Sequence, residues 1–367
     1  MRKTILERQM LFLAVLTTFV ALARWSDVGG GESKTANQQV VAIQQQHSDL
    51  LAGFTRAVAY SGFRHGQHPD RGSGAINPSD AEILADLQIL TRNSNFGLCR
   101  LYDSQENSEA VLSVIKANQI EMKVLLGVWL SAEVSNHLGC PWLNGKPIPP
   151  ATLAANKIKN AVEINNAIRL AREYPEIVVA VNVGNEALVG WTDHLVTVDS
   201  VKAYVQKIKA VIRQPVTVAE NFAWWAEHGT ELADVVDLVM VHTYPVWDGQ
   251  SIDNALSYSI ANIQAVRNTQ PESRIIIGEA GWATTATEFG ERASEANQQR
   301  YVNELTAWAA QMNITTFIFE AFDEDWKGET DNPWGAEKHW GLFTVDRKAK
   351  LIMSARYPDL APVQEKK

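Results

Sequence analysis

The sequence predicts an α/β fold, a single (β/α)8 barrel of the TIM type, on three observations. A unit of short apolar strand, polar or aromatic tip and amphipathic helix recurs eight times between about Phe54 and Phe343, and strands that alternate with helical patterns build a parallel sheet. The strand runs are apolar throughout, as in Arg274, Ile275, Ile276, Ile277, Gly278, Glu279, Ala280, Gly281, Trp282, which suits strands covered on both faces. Tryptophans gather just past the strand ends, where such a barrel collects its functional groups. A doubly wound open sheet is the rival architecture, but no glycine-rich phosphate loop follows the first strand.

The first strand, Phe54 to Ser61, ends in a tip with Tyr60, Phe63, Arg64 and Gln67. After Pro78, Ser79 and Glu82 make a capping box for a helix to about Arg92. Strand two is Phe96 to Asp103, with Arg100 and Tyr102 on the face opposite Leu101 by alternation; a helix near Glu109 to Ala117 follows. Strand three, Met122 to Leu130, carries Trp129 at its end, and a long loop with Cys140 and Trp142 leads to Pro149 and Pro150, which introduce a helix to about Glu173. Strand four, Ile177 to Gly184, delivers Asn185 and Glu186 and precedes a helix at Val201 to Ile212. Strand five, Pro215 to Glu220, leads into Asn221, Trp224 and Trp225; strand six, Val236 to His242, leads into Tyr244 and Trp247, with a helix at Ala255 to Val266. The triple-isoleucine run is strand seven, with a helix at Ala296 to Met312. Strand eight, Thr315 to Glu320, ends in Phe322, Asp323, Glu324, Asp325 and Trp326, and the closing helix after Lys348 is faint.

With 367 residues and 46% hydrophobic content the chain can bury one core of this size. The net charge of -9 is spread without a basic stripe, which argues against nucleic acid as a partner. Arg2, Lys3 and Arg8 precede an uncharged run from Met10 to Ala23, and Ala21 and Ala23 form an A-x-A pattern, so residues 1–23 read as a signal peptide. The run is shorter than the roughly 20 residues that span a bilayer. With the signal cleaved, no stable membrane insertion is expected and the folded part is expected to be secreted, periplasmic or held in the cell envelope. An uncleaved anchor is the alternative, because Glu7 weakens the basic flank. Residues 24–49, with Gly29, Gly30 and Gly31, read as a polar linker, 50–357 as the barrel domain and 358–367 as a C-terminal tail. Cys99 and Cys140 are too few for a disulfide framework, and Cys99, inside a strand, reads as a buried free thiol. No Cys/His cluster has metal-site spacing, and neither a metal nor a cofactor is expected.

Ten of the twelve tryptophans fall beyond strand ends: Trp129, Trp142, Trp191, Trp224, Trp225, Trp247, Trp282, Trp326, Trp334 and Trp340. Clustering at one rim suggests a groove of flat apolar faces with polar groups between, on which pyranose rings stack; plain rim packing is the alternative. Two glutamates stand out, Glu186 after strand four and Glu279 after strand seven, on strands that face each other across a barrel mouth. Cleaving a glycosidic bond needs one carboxylic acid to protonate the leaving oxygen and a second carboxylate at the anomeric carbon, about 5 Å apart for retention and about 6.5 to 9.5 Å for inversion. The neighbours cast Glu186 as proton donor, Glu279 as nucleophile, Asn185 as an amide for the sugar 2-hydroxyl and Tyr244 as a donor aligning Glu279. Tyr60, Arg64, Arg100, Tyr102, Trp129, Asn221, Trp282, Phe322, Glu324 and Trp326 complete the candidate substrate-binding set. A buried polar network without chemistry is the alternative for the pair.

Four segments, VAVNVGNEAL at Val179 to Leu188, HTYP at His242 to Pro245, GEAGW at Gly278 to Trp282 and FEAFDEDWK at Phe319 to Lys327, resemble glycoside hydrolase family 17. That family comprises β-1,3-glucanases and related glucan transferases, and its order and spacing match from about Phe54 to Phe343. The resemblance implies that Glu186, in VGNE, is the acid/base and that Glu279, in GE-x-GW, is the nucleophile. It implies a retaining double displacement on a β-glucan polysaccharide or oligosaccharide, without metal or cofactor. The chain is more similar to the bacterial and fungal branch than to the plant glucanases. Ala280 replaces the family's usual threonine and Asp325 its usual proline, both near the sugar sites. Some members of that branch transfer glucan chains. A β-1,3-glucanosyltransferase, with Trp326 and the loop to Trp340 as acceptor site, is therefore one alternative to a hydrolase, and a non-catalytic glucan-binding barrel is another.

Overall fold

Eight parallel strands close in sequence order, and β8 pairs back onto β1. The structure, a computed structural model, describes residues 41–362 apart from 71 and 93–95. The expected signal peptide and the linker up to residue 40 lie outside the described residues. The strands are β1 (Arg56–Ala59), β2 (Leu98–Arg100), β3 (Lys123–Val128), β4 (Val178–Asn185), β5 (Val216–Asn221), β6 (Leu238–His242), β7 (Ile275–Ala280) and β8 (Thr316–Ile318). Between and after them, among the described residues, run the helices α1 (Asp80–Arg92), α2 (Glu106–Asn118), α3 (Pro150–Glu173), α4 (Val198–Lys209), α5 (Phe222–His228), α6 (Thr230–Ala233), α7 (Ile252–Thr269), α8 (Glu295–Gln311) and α9 (Leu351–Ser354). The capping box forms as expected: the Glu82 carboxylate accepts from the Ser79 amide at 2.8 Å, and the Ser79 hydroxyl accepts from the Glu82 amide at 3.4 Å.

Strand alternation sorts the apolar residues into two layers. Ala57, Leu98, Leu125, Ala180, Ala219, Met240, Ile276 and Phe317 fill the barrel interior, joined by Leu51 from the segment before β1. Their neighbours, such as Val58, Val181, Val218, Val239 and Ile277, face outward and pack under the helices, which bury opposing stripes such as Val201, Val205 and Ile208 of α4. Every residue of β7 is buried, as its unbroken apolar run required.

Two expected boundaries move. From Val41 the expected linker is already part of the barrel unit. Gln45 donates to the Ile275 carbonyl at 2.8 Å and accepts from the Ile275 amide at 2.7 Å, so its side chain ties off the start of β7. At the other end Leu360 accepts from the Ala349 amide and packs on the core, so the first residues of the expected tail also belong to the barrel. The closing helix α9 has only four residues. Cys99 and Cys140 are both buried free thiols, and burial pushes the Cys99 thiol up to about 12. Among the described residues no helix is long and apolar enough to cross a membrane.

Candidate active site

One step beyond the interior layer, alternation turns polar residues into the mouth. Leu98 is followed two residues on by Arg100, and Met240 by His242, and both polar side chains are fully buried. Glu279 needs more than alternation, because Ile276 faces inward and strict alternation would turn position 279 toward the helices. The ladders of β7 slip at this point, with Ile277 opposite Val241 but Glu279 opposite His242. A bulge of this kind re-aims a side chain. Gly278 permits it, since a Cβ there would lie 2.5 Å from the Met240 side chain. β4 slips in the same way between Asn182 and Asn185 before delivering Asn185 and Glu186.

The Glu279 carboxylate is gripped from several sides. Oε1 accepts from Arg100 Nη1 and from the Tyr102 hydroxyl, each at 2.9 Å, and Oε2 accepts from the Tyr244 hydroxyl at 2.7 Å. Burial alone would raise its pKa, but His242, Arg100, Tyr244 and Tyr102 outweigh it and hold the group below the usual carboxylate value. Arg100 also donates to Asn185 Oδ1 at 2.5 Å.

His242 joins the two glutamates. Its Nδ1 lies 3.0 Å from Glu186 Oε1 and 3.5 Å from Glu279 Oε2, which bounds the gap between those oxygens at 6.5 Å. Its Nε2 faces Arg100 Nη1 at 3.1 Å. The guanidinium can only donate, so the hydrogen-bond network assigns a bare Nε2 and a hydrogen on Nδ1, aimed at the carboxylates.

A second cluster forms beyond β8. Lys327 Nζ lies 2.5 Å from Glu320 and 2.8 Å from Glu324, and the Ser61 hydroxyl donates to Glu324 at 3.2 Å. Two carboxylates around one ammonium outweigh its burial and keep Lys327 charged. Among the described residues no group of three or more His, Cys, Asp or Glu is arranged to hold a metal ion.

Of the residues named from sequence, Arg100, Tyr102, Asn185, Glu186, Tyr244 and Glu279 come together at the mouth. Others do not reach it. Tyr60 is buried with its hydroxyl 3.4 Å from Asp86, and Arg64 lies 2.6 Å from the same carboxylate, which Arg347 also grips at 2.6 Å. Phe322 is buried between Tyr60 and Phe343, with the Arg347 guanidinium over its ring. Glu324 lies in the Lys327 cluster, with its Oε2 engaged by Lys327 and Ser61 and its Oε1 without a hydrogen-bond partner among the described residues, and Asn221 caps α5 by accepting from the Ala223 amide at 2.9 Å. Trp282 is fully buried and donates to the Arg292 carbonyl at 2.8 Å, so it offers no face to a ligand.

The tryptophan rim divides likewise. Trp224, Trp225 and Trp340 are buried with Trp282, whereas Trp142, Trp191, Trp247 and Trp334 are exposed. Trp129 is half-buried against the His194 ring at 4.6 Å, and Trp326 is half-buried with its edge to Phe63 at 5.9 Å. His242, Glu220, Glu320 and Lys327 were not singled out by residue type. The signal for His242 was its place in HTYP as the last residue of β6.

A (β/α)8 barrel with two carboxylates converging in its mouth is an arrangement that fits the glycosidase class. The profile of the BtgE/BtgC glycoside hydrolase domain matches residues 57–341, and the chain belongs to that family. The family 17 resemblance of its motifs agrees with this. The chain is 33% identical over 140 residues to a glucan 1,3-beta-glucosidase of Saccharomyces cerevisiae, an alignment that takes in 36% of this chain and 44% of that one. It is 25% identical over 269 residues to a glucan 1,3-beta-glucosidase of Arthroderma benhamiae, covering 69% of this chain and 78% of the relative. The crystal structure of an endo-laminarinase from Formosa matches with a TM-score of 0.71 at 26% identity, over 84% of this chain and 89% of that one.

Proposed function

We propose that the protein is a retaining glycosidase of β-1,3-glucan, with Glu279 as nucleophile and Glu186 as acid/base. The observation that carries this is the shared contact of both carboxylates with His242 Nδ1, at 3.0 and 3.5 Å. The resulting upper bound of 6.5 Å on that oxygen–oxygen gap accommodates the about 5 Å of a double displacement and reaches no further than the lower edge of the span used for inversion. The substrate class comes from the relatives, which are named for β-1,3-glucan.

In the first step a Glu279 oxygen attacks the anomeric carbon while Glu186 gives its proton to the glycosidic oxygen; the carbon–oxygen bond breaks and a glycosyl ester remains on Glu279. In the second step Glu186 takes a proton from water, the water oxygen attacks the same carbon, and the ester bond breaks to restore the Glu279 carboxylate. Arg100, Tyr102 and Tyr244 serve both steps by keeping Glu279 ionised before attack and stabilising it as it leaves. Arg100 occupies the Asn185 oxygen, which turns the amide NH2 toward the sugar 2-hydroxyl. Trp129, Trp247 and Trp334, which follow strand ends and keep part of their surface accessible, are the candidate sugar platforms, whereas the buried Trp340 is no part of an acceptor platform. Export is part of the proposal, because the Met10 to Ala23 run has the layout of a signal.

The test is incubation with laminarin and β-1,3-oligosaccharides, following the anomer first released by proton NMR. The β-anomer is expected. First release of the α-anomer would exclude a double displacement, binding without turnover would leave a glucan-binding barrel, and products longer than the substrate would show that a sugar acceptor intercepts the ester before water does.

A further inference from the structure

We propose that Glu220, in β5, is a positioning residue that locks the backbone of the segment carrying Glu186 and so fixes the direction of its proton transfer, a role that rests on Glu186 being the acid/base. Glu186 stands at φ 48, in the left-handed region where a side chain is unfavourable and surroundings must hold it. The surroundings do so peptide by peptide. The Asn185 carbonyl accepts from His194 Nε2 at 2.8 Å, the Glu186 amide donates to the Ala219 carbonyl at 2.9 Å, and the Ala187 carbonyl accepts from the Val196 amide at 2.9 Å. The Leu188 amide then donates to Glu220 Oε1 at 3.0 Å, and the neighbouring Ala187 amide acts with it to pull the Glu220 pKa down. Backbone amides turned inward beside a left-handed residue leave a concavity that calls for an acceptor oxygen. The Glu220 side chain supplies that oxygen to Leu188.

Glu220 does not reach substrate. Ala219 lies in the barrel interior and Val218 in the outer layer, so alternation places Glu220 outward, between β5 and the helices, with no exposed surface. Its Oε2 has no hydrogen-bond partner among the described residues. A carboxyl group buried with one oxygen unmatched is an unfavourable choice for packing alone. Burial and then the charge of Glu186 push its pKa well above the usual carboxylate range, against the pull of the Leu188 and Ala187 amides. What the site retains is an acceptor for the turn that aims Glu186.

The leaving group provides the test, because a leaving group of low basicity departs without a proton and a misdirected acid then does no harm. The readout is kcat/KM, which stops at the first irreversible step, for a β-1,3-oligosaccharide and for a dinitrophenyl β-glycoside. Their ratio in one preparation is independent of the folded fraction. Glu220→Ala is expected to lower kcat/KM for the oligosaccharide about 100-fold, through kcat and not KM, with a loss within about threefold for the dinitrophenyl substrate. Glu220→Asp, which withdraws the oxygen from the Leu188 amide, is expected to shift the ratio the same way by about tenfold, and Glu220→Gln, which keeps an acceptor oxygen there, to restore it. Equal losses on both substrates, no shift in Glu220→Asp, or Glu220→Gln as impaired as Glu220→Ala would each overturn the proposal. Glu186→Gln on the same pair separates the two failures. If its loss is also independent of the leaving group, Glu186 is not the acid; if its loss depends on the leaving group and that of Glu220→Ala does not, only the role of Glu220 falls.

Discussion

Glu279 in β7 and Glu186 just past β4 share one neighbour, His242 Nδ1, and otherwise occupy opposite surroundings. The Glu279 side chain is 8% exposed and accepts from Arg100, Tyr102 and Tyr244, whereas Glu186 is 24% exposed and touches none of these donors. Glu279 lies within a strand whose bulge supplies its aim, while Glu186 sits on a left-handed residue held by peptide contacts. A carboxylate crowded by donors resists protonation and stays ready to attack. One that meets water and a single imidazole N–H can take and return a proton. The same residue type thus acquires two chemical roles through its neighbours.

The largest expected effect separates the two directly. Glu279→Ala is expected to lower kcat by about 10⁴-fold or more, and added azide, entering the space left, should yield an α-glycosyl azide. Glu186→Ala is expected to lose about 10² to 10⁴-fold on unactivated glucan, and azide should then intercept the ester to give the β-glycosyl azide. The opposite pairing of products would exchange the roles.

A smaller effect sharpens the same contrast through pH. Tyr244→Phe removes a donor from the Glu279 carboxylate, and a hydrogen bond to a charged group is worth about 1.5 to 3 kcal/mol. Without it the ionised form is less favoured and the Glu279 pKa rises. Because Glu279 must be ionised to attack, the acid limb of kcat/KM should move to higher pH while the basic limb stays in place. Movement of the basic limb alone would contradict the division of roles.

The smallest effect comes from a carboxylate outside the pair. Glu163, on α3, accepts from the Ser104 amide at 2.6 Å and the Trp129 amide at 3.3 Å, and burial, then Asp103, pushes it up to about 7. Its folded pKa lies above the unfolded 4.5, so the folded state binds the extra proton and stability falls as pH rises from 4.5 through 7. Glu163→Gln removes that loss. Thermal unfolding should show it about 3 °C above the parent at pH 8 and near the parent at pH 4; a uniform shift would contradict the assignment.

The barrel was legible in the sequence because its signals are local: apolar runs such as Ile275 to Ile277, the Ser79 and Glu82 box, and the Pro149 and Pro150 pair that opens α3. Glu186 and Glu279 were legible as carboxylates at strand ends within motifs. The bulges that aim Asn185 and Glu279 were not, since a slip in register depends on the partner strand. Nor was the capture of Tyr60, Arg64 and Phe322 by Asp86 and Arg347, residues separated by 261 positions. Trp225 shows why a strand-end aromatic is ambiguous: α5 folds it back so that its Nε1 donates to the Met240 carbonyl at 2.8 Å, making it wall and not groove. Gln45 sits in a polar stretch indistinguishable from linker until its amide meets Ile275.

The most direct test of the two-carboxylate account is covalent trapping. A 2-deoxy-2-fluoro β-glucosyl or laminaribiosyl donor with a good leaving group slows both steps but lets the ester accumulate, and peptide mass spectrometry locates it. The expected result is one sugar on Glu279, absent from Glu279→Gln and still formed by Glu186→Gln. An adduct on Glu186 or on any other carboxylate, or undiminished labelling of Glu279→Gln, would contradict the account.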